Sequence, residues 1–250
     1  MRYLAVFFSF SLVLAQDQRV PVVVELFTSE GCSSCPPADQ LLLRMDRTQP
    51  ISGARVIALE EHVDYWNSQG WTDPFSSAQY RLRQNDYGRK FLSDNVYTPQ
   101  MIVNGRIAFA GNDGQRALQE ITQAAQAQTE LVELKTAKGE DPEIVNLSVE
   151  VTDPTSTKVH NSNVILAVTE SDLSSNVARG ENAGRVLHHA PVVRSFGVIG
   201  KIDSHGSSKG VITDTLRLPK EWKRENLRAV VFVQERDTYK INGAAITDLH

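Results

Sequence analysis

The sequence predicts an α/β domain with a helical insertion, followed by an all-β, sandwich-like C-terminal domain. Three observations predict this. An apolar strand run, an amphipathic segment and a second strand follow one another early in the chain. An Asn-Gly hairpin signal and another helical pattern close that half. Short strand-like runs separated by turns then fill residues 144–250.

The elements read in order as follows. Val20 to Phe27 (VPVVVELF) is a β-branched apolar run, read as a buried strand. After Cys32-Ser33-Ser34-Cys35-Pro36-Pro37, the residues Ala38, Leu41, Leu42 and Met45 recur at helical spacing. Arg55 to Leu59 is a second strand, so the unit reads as parallel βαβ. The polar-aromatic stretch Glu61 to Phe75 is long for a connection, and long connections are more often functional. Ser76 to Leu92 is the helical insertion, and Val96 to Val103 is a strand with a proline near its start. Asn104-Gly105 is a hairpin turn, with Arg106 to Ala110 returning. Asn112 with Gln115 resembles a capping box, and Leu118, Ile121, Ala125 and Gln128 lie on one side of the helix that follows.

Residues 18–130 are therefore read as one domain. Residues 131–143 are read as a linker, because Lys135 to Glu143 is charged and contains Gly and Pro. Beyond it, Ile144–Val151, Asn163–Thr169, Arg185–Arg194, Gly210–Leu218, Leu227–Gln234 and Tyr239–Ile246 read as strands.

Residues 1–15 read as a signal peptide: Arg2, the apolar run Tyr3 to Leu14, and a cleavage site at Ala15 with Val13 two residues before it. That run is shorter than the about 20 residues a membrane span needs, and no later stretch is long and apolar enough. The expectation is an exported protein, periplasmic or secreted, with no membrane span after cleavage. A net charge of −4 and the absence of a Lys/Arg cluster argue against a nucleic-acid partner.

The chain has two cysteines, three positions apart. A disulfide closing so short a loop constrains the unfolded chain by roughly 2 kcal/mol, against about 4.7 for a loop of a hundred residues. The spacing favours chemistry over stapling. At a strand-to-helix junction the first thiol can be exposed and attack as thiolate, and the second can resolve the mixed disulfide. Cys32 is assigned as nucleophile and Cys35 as resolver. Pro36 and Pro37 are most comfortable in a first helical turn, which moves the helix start toward Ser34 or Cys35.

Thr98-Pro99 opens a strand and can adopt a cis peptide, presenting a backbone edge to a peptide substrate. Glu25, inside the apolar run, either relays a proton from a buried position or points to a salt bridge. His62 and Asp64 follow the second strand and either assist the thiols or are hydrogen-bonded loop residues. Trp66 and Trp71, with Phe75, either wall a substrate groove or pack under the loop. His188 and His189 point to opposite faces if they lie on a strand, so they make no ready metal site.

Phe27-Thr28-Ser29-Glu30-Gly31-Cys32-Ser33-Ser34-Cys35-Pro36-Pro37-Ala38-Asp39 resembles a family of uncharacterised secreted bacterial proteins grouped with the thioredoxin-like superfamily. His62-Val63-Asp64-Tyr65-Trp66, Gly70-Trp71, Asp73-Pro74-Phe75, Tyr97-Thr98-Pro99-Gln100-Met101 and Gly180-Glu181-Asn182 through Arg194 resemble its other signatures. The resemblance implies a thioredoxin fold and export, with Cys32 and Cys35 as the redox pair and Pro99 as the cis-proline. The turn before Cys32 is one residue longer than in thioredoxin, and Pro36-Pro37 also departs from it.

The expected function is thiol–disulfide exchange with a protein or small-molecule disulfide or dithiol. A redox partner protein would supply electrons, and no organic cofactor is needed. One alternative is soft-metal (copper) binding by Cys32, Cys35 and His62. Another is a non-catalytic interaction module with a permanent disulfide.

Overall fold

The computed structural model describes residues 19–92, 96–127, 130–152, 161–203 and 209–249. The expected signal peptide and Gln128 lie outside them.

The first half contains β1 (Val20–Thr28), α1 (Pro36–Thr48), β2 (Ala54–His62), α2 (Ala78–Lys90), β3 (Gln100–Val103), β4 (Ile107–Ala110) and α3 (Gly114–Ala124). The second half is all strand and short turn: β5 (Leu131–Lys138), β6 (Ile144–Thr152), β7 (Ser162–Glu170), β8 (Ser174–Asn176), β9 (Val186–His188), β10 (Val192–Ile202), β11 (Lys209–Arg217), β12 (Leu227–Glu235) and β13 (Ile241–Asp248).

These strands do not divide into a thioredoxin α/β domain and a separate sandwich, and that expectation is overturned. Eight strands from both halves form one mixed sheet in the order β13-β12-β7-β10-β2-β1-β3-β4. β1 and β2 are parallel, from Val20↔Ala54 to Thr28↔His62. The junction between halves is a short parallel contact of β10 with β2 at Val192↔Glu60, where the Glu60 N–H donates to the Pro191 carbonyl at 3.0 Å. With three α-helices against this sheet, the described chain is mostly β.

Both faces of the sheet are covered. Val22, Val24 and Leu26 of β1 pack with α1 and α3, while Val23 and Phe27 face the opposite side. There α2 lies across both halves: Tyr80 and Tyr87 share a core with Ile57 of β2, Ile165 of β7 and Phe232 of β12. The insertion is therefore part of the seam between the halves. A second sheet, β11-β6-β5, packs Val145, Leu147, Val149 and Val151 onto Val164, Leu166 and Val168 of β7 and Ala229, Val231 and Val233 of β12. Period-two alternation buries both faces of β7 and β12.

Several local expectations are also corrected. Leu131–Lys138, expected in a linker, form β5, paired along its length with β6. The strand expected over Arg185–Arg194 is broken by His189-Ala190-Pro191 into β9 and β10. β3 begins at Gln100 rather than Val96. Asp113, not Asn112, caps α3, its side chain accepting from the Arg116 N–H at 3.0 Å. The Asn104-Gly105 turn is present with both φ values positive, at 44° and 62°, as a tight primed turn requires.

Candidate functional site

Cys35 is the N-cap of α1, with proline in the first turn, so Cys32 precedes the helix. The two sulfurs form a disulfide with Cα atoms 5.5 Å apart. Ser33 and Ser34 between them are exposed, but Cys32 and Cys35 have no exposed surface. The expectation of a solvent-presented first sulfur is thus corrected.

The cover comes from far along the chain. The Asn182 side-chain amide donates to the backbone carbonyls of Glu30 and Cys32, both at 2.9 Å. Arg185 Nη1 donates to Asn182 Oδ1 at 3.0 Å, which orients that amide. Glu181 Oε2 accepts from the Ser33 N–H at 3.1 Å, and the Ser33 side chain and this backbone bond together lower the Glu181 pKa. Gln40 of α1 donates to the His188 carbonyl at 2.9 Å. The segment around Asn182 is a strap over the cysteine turn.

The Thr98–Pro99 peptide is cis. A methyl group on Gly111 would meet Pro99 Cβ at 3.1 Å and Ala38 Cβ at 3.2 Å, so Pro99 and the first turn of α1 both border Gly111. The Pro99 carbonyl is already used, accepting from the Gly111 N–H at 2.9 Å. Trp66 bridges the two segments: its Nε1 donates to Thr98 Oγ1 at 2.8 Å, and its Cβ lies where a side chain on Gly31 would go. Trp71 donates from Nε1 to Glu30 Oε2 at 2.7 Å and so anchors that carboxylate.

Alternation along β2 sorts its three terminal polar residues. Glu60 and His62 face one side and Glu61 the other. Glu25 lies with Glu61. Its carboxylate accepts from Arg83 Nε and from the Tyr87 hydroxyl, each at 2.5 Å, on the α2 side of the sheet. Glu25 is therefore the core partner of an arginine on the face opposite α1, so of its two readings the salt bridge is the one the structure shows. Burial and the neighbouring Glu25 charge push Glu61 well above the usual carboxylate range.

On the α1 side, sequence reading missed a cluster. His62 Nε2 lies 3.0 Å from Glu60 Oε1, and its Nδ1 lies 2.7 Å from Asp73 Oδ2. His189 Nδ1 lies 3.0 Å from the same Glu60 Oε1, and its Nε2 lies 3.1 Å from Glu30 Oε1. Glu60 Oε2 accepts from the Ala190 N–H. All five residues are buried. His62 points into this cluster and does not complete a ligand set with the disulfide-bonded cysteines. Asp64 is outside it, paired to Arg81 Nε at 2.6 Å.

The electrostatics follow from burial and pairing. Burial opposes the charge on His62, but Asp73 and Glu60 outweigh it and raise its pKa well above the usual range. Burial likewise opposes His189, yet its bonds to Glu30 and Glu60 raise it to about 9. Burial disfavours ionised Glu60 and Asp73, but the histidines hold both low. Asp39, one helical turn beyond Cys35, is pushed up to about 8 by burial and the Glu60 charge, against the bond from Thr28 Oγ1 at 2.6 Å. Asp39, on α1 itself, is thus a buried carboxyl of raised proton affinity on the helix that Cys35 caps. The Glu-x-His spacing at 60–62 was a usable signal, since alternate strand residues share a face. Asp39, Glu30 and Asp73 carried none.

A family model described as a protein of unknown function (DUF1223) matches residues 23–234. A crystal structure of a structural-genomics target from Agrobacterium tumefaciens superposes with a TM-score of 0.69 at 27% identity, covering 94% of this chain and 97% of that one. HBP35 of Porphyromonas gingivalis superposes at 0.60 with 14% identity, covering 92% and 76%, a likeness of fold alone. None of the curated proteins matches.

Proposed function

The chain belongs to DUF1223, a family of unknown function, and from its own residues we propose that it is an exported thiol–disulfide oxidoreductase working through Cys32 and Cys35. The carrying observation is the placement of the pair. The disulfide closes at the start of α1, and the Pro99 segment and the first turn of that helix both border Gly111.

In the reduced protein, the Cys32 thiolate attacks one sulfur of a substrate disulfide. A Cys32–substrate disulfide forms, and the other substrate sulfur leaves as a thiolate. Cys35 loses its proton and attacks Cys32 Sγ. The intramolecular disulfide forms, and the second substrate sulfur leaves and is protonated. The substrate is reduced by two electrons and the Cys32–Cys35 dithiol oxidised by two. Asp39, with a pKa of about 8, has the proton affinity to serve Cys35 at neutral to mildly alkaline pH. Because neither sulfur is exposed, the Asn182 strap must lift for a substrate to reach Cys32. Export is supported by the signal-like residues 1–15 and by a redox pair suited to an oxidising compartment. No helix among the described residues is long and apolar enough to cross a membrane.

The test is exchange with a disulfide-bonded test peptide at a poised glutathione ratio. Cys32→Ser should abolish turnover, and Cys35→Ser should accumulate a mixed disulfide at Cys32. A reduction potential below about −300 mV, as for structural disulfides, together with no exchange would overturn the proposal.

A further inference from the structure

We propose that Glu60, His62 and His189 form a binding site for a divalent metal ion of zinc type, separate from the cysteines. The observation is convergence. One ligand atom from each of Glu60, His62 and His189 lies within 4.8 Å of the other two, His62 Nε2 and His189 Nδ1 each lie 3.0 Å from Glu60 Oε1, and all three residues are buried. A tetrahedral ion with ligands at about 2.0–2.2 Å holds its donors somewhat over 3 Å apart, so small shifts would accommodate it.

Two further features separate this cluster from an ordinary buried hydrogen-bond network. First, both inner ring nitrogens face one carboxylate oxygen, each at 3.0 Å, with ring centroids 5.0 Å apart. Without an ion, two hydrogens from neighbouring rings must share that oxygen. One dication replaces both and leaves two neutral imidazoles, whose lone pairs then point at the metal. Second, each outer ring nitrogen is held by its own carboxylate: His62 Nδ1 by Asp73 at 2.7 Å, and His189 Nε2 by Glu30 at 3.1 Å. Carboxylates in this position fix the tautomer of a metal-binding histidine.

Those carboxylates are themselves anchored. Asp73 Oδ2 accepts from the Glu30 N–H at 2.9 Å, and Glu30 Oε2 accepts from Trp71. Phe75 meets both imidazoles edge-on at 5.5 and 5.2 Å and helps keep the site dry. Two nitrogens and one carboxylate suit a borderline divalent ion rather than the soft ion thiolates select. Glu30 also links the site to the redox pair, lying two residues before Cys32 with its carbonyl under the Asn182 strap.

The experiment uses the signal-free chain, stripped by chelator and titrated with Zn²⁺ and with Co²⁺ as a spectroscopic probe. One equivalent per chain with a tetrahedral Co²⁺ band is expected. Glu60→Gln and His189→Ala should lose stoichiometric binding. Asp73→Asn, which keeps all three ligands, should weaken it 10–100-fold. Cys32→Ser/Cys35→Ser should bind as the wild type does, so failure of the redox proposal leaves this one standing. Folded wild-type protein that takes up no ion would overturn it. So would binding unchanged in Glu60→Gln, His189→Ala and Asp73→Asn, or binding lost with the cysteines.

Discussion

Replacing Asn182 by alanine should open the cover over the disulfide. The side chain is fully buried and donates two hydrogen bonds, to the carbonyls of Glu30 and Cys32, at 2.9 Å each. With the strap closed, truncation takes the Asn182 donor from the Glu30 carbonyl and leaves the Cys32 carbonyl with only the Cys35 N–H, at 3.2 Å; with it open, water replaces the lost bonds. At about 1 kcal/mol per bond, the closed state loses about 2 kcal/mol relative to the open one. At 1.4 kcal/mol per factor of ten, the open population rises about 30-fold. If reduction proceeds through the open form, its rate rises by the same factor. The assay is reduction of native protein by a small phosphine, quenched with a maleimide and read by mass spectrometry, with folding checked by circular dichroism. Glu181→Ala loses only exposed contacts to Ser33 and should accelerate reduction much less. An Asn182→Ala variant that stays folded and is reduced at the wild-type rate would refute the idea that the strap gates the sulfurs.

Other outcomes follow from the same contacts. Asp39 has a folded pKa of about 8, set first by burial and then by Glu60, with His62, His189 and Thr28 opposing. Between the ordinary carboxylate range and about 8 the folded chain keeps a proton that the unfolded chain gives up. Stability therefore falls as pH rises through that window. Asp39→Asn should gain on the wild type there by on the order of 1 kcal/mol per pH unit, measured by urea unfolding; a constant difference across the window would be the contrary result. Arg83→Met strands Glu25 and Glu61 in the core and should cost about 3–5 kcal/mol in the same measurement. Because that cluster lies across the sheet from α1, the reduction potential should not move. Gly111→Ala would put a methyl 2.7 Å from Leu26 Cδ1 and 3.1 Å from Pro99 Cβ. A loss of about 1–3 kcal/mol in unfolding free energy is expected.

Much of the local structure was legible because its causes are local. Apolar runs rich in β-branched residues marked β1, β2, β7 and β12, and helical spacing marked α1. Asn104-Gly105 marked its turn, and the prolines after Cys35 placed the helix start. β5 was missed because its second half, Lys135–Lys138, runs on into the charged Gly/Pro-containing residues 139–143, and that composition also makes a linker. The long strand expected at 185–194 concealed the break at His189-Ala190-Pro191, where the two halves join.

By itself the sequence determined most of the strands and helices and where the two sulfurs sit relative to α1. Each of these follows from side-chain periodicity, proline geometry or turn chemistry within a few neighbouring residues. Only the tertiary structure decided that both halves contribute to one sheet, that Asn182 bonds to the carbonyls of Glu30 and Cys32, and that Glu25 pairs with Arg83. It also decided that His189 meets Glu60 and Glu30 across 129 and 159 residues of chain. Those contacts depend on the pairing of β10 with β2, and the free energy of that pairing comes from burying surfaces far apart in the chain. No local pattern records it.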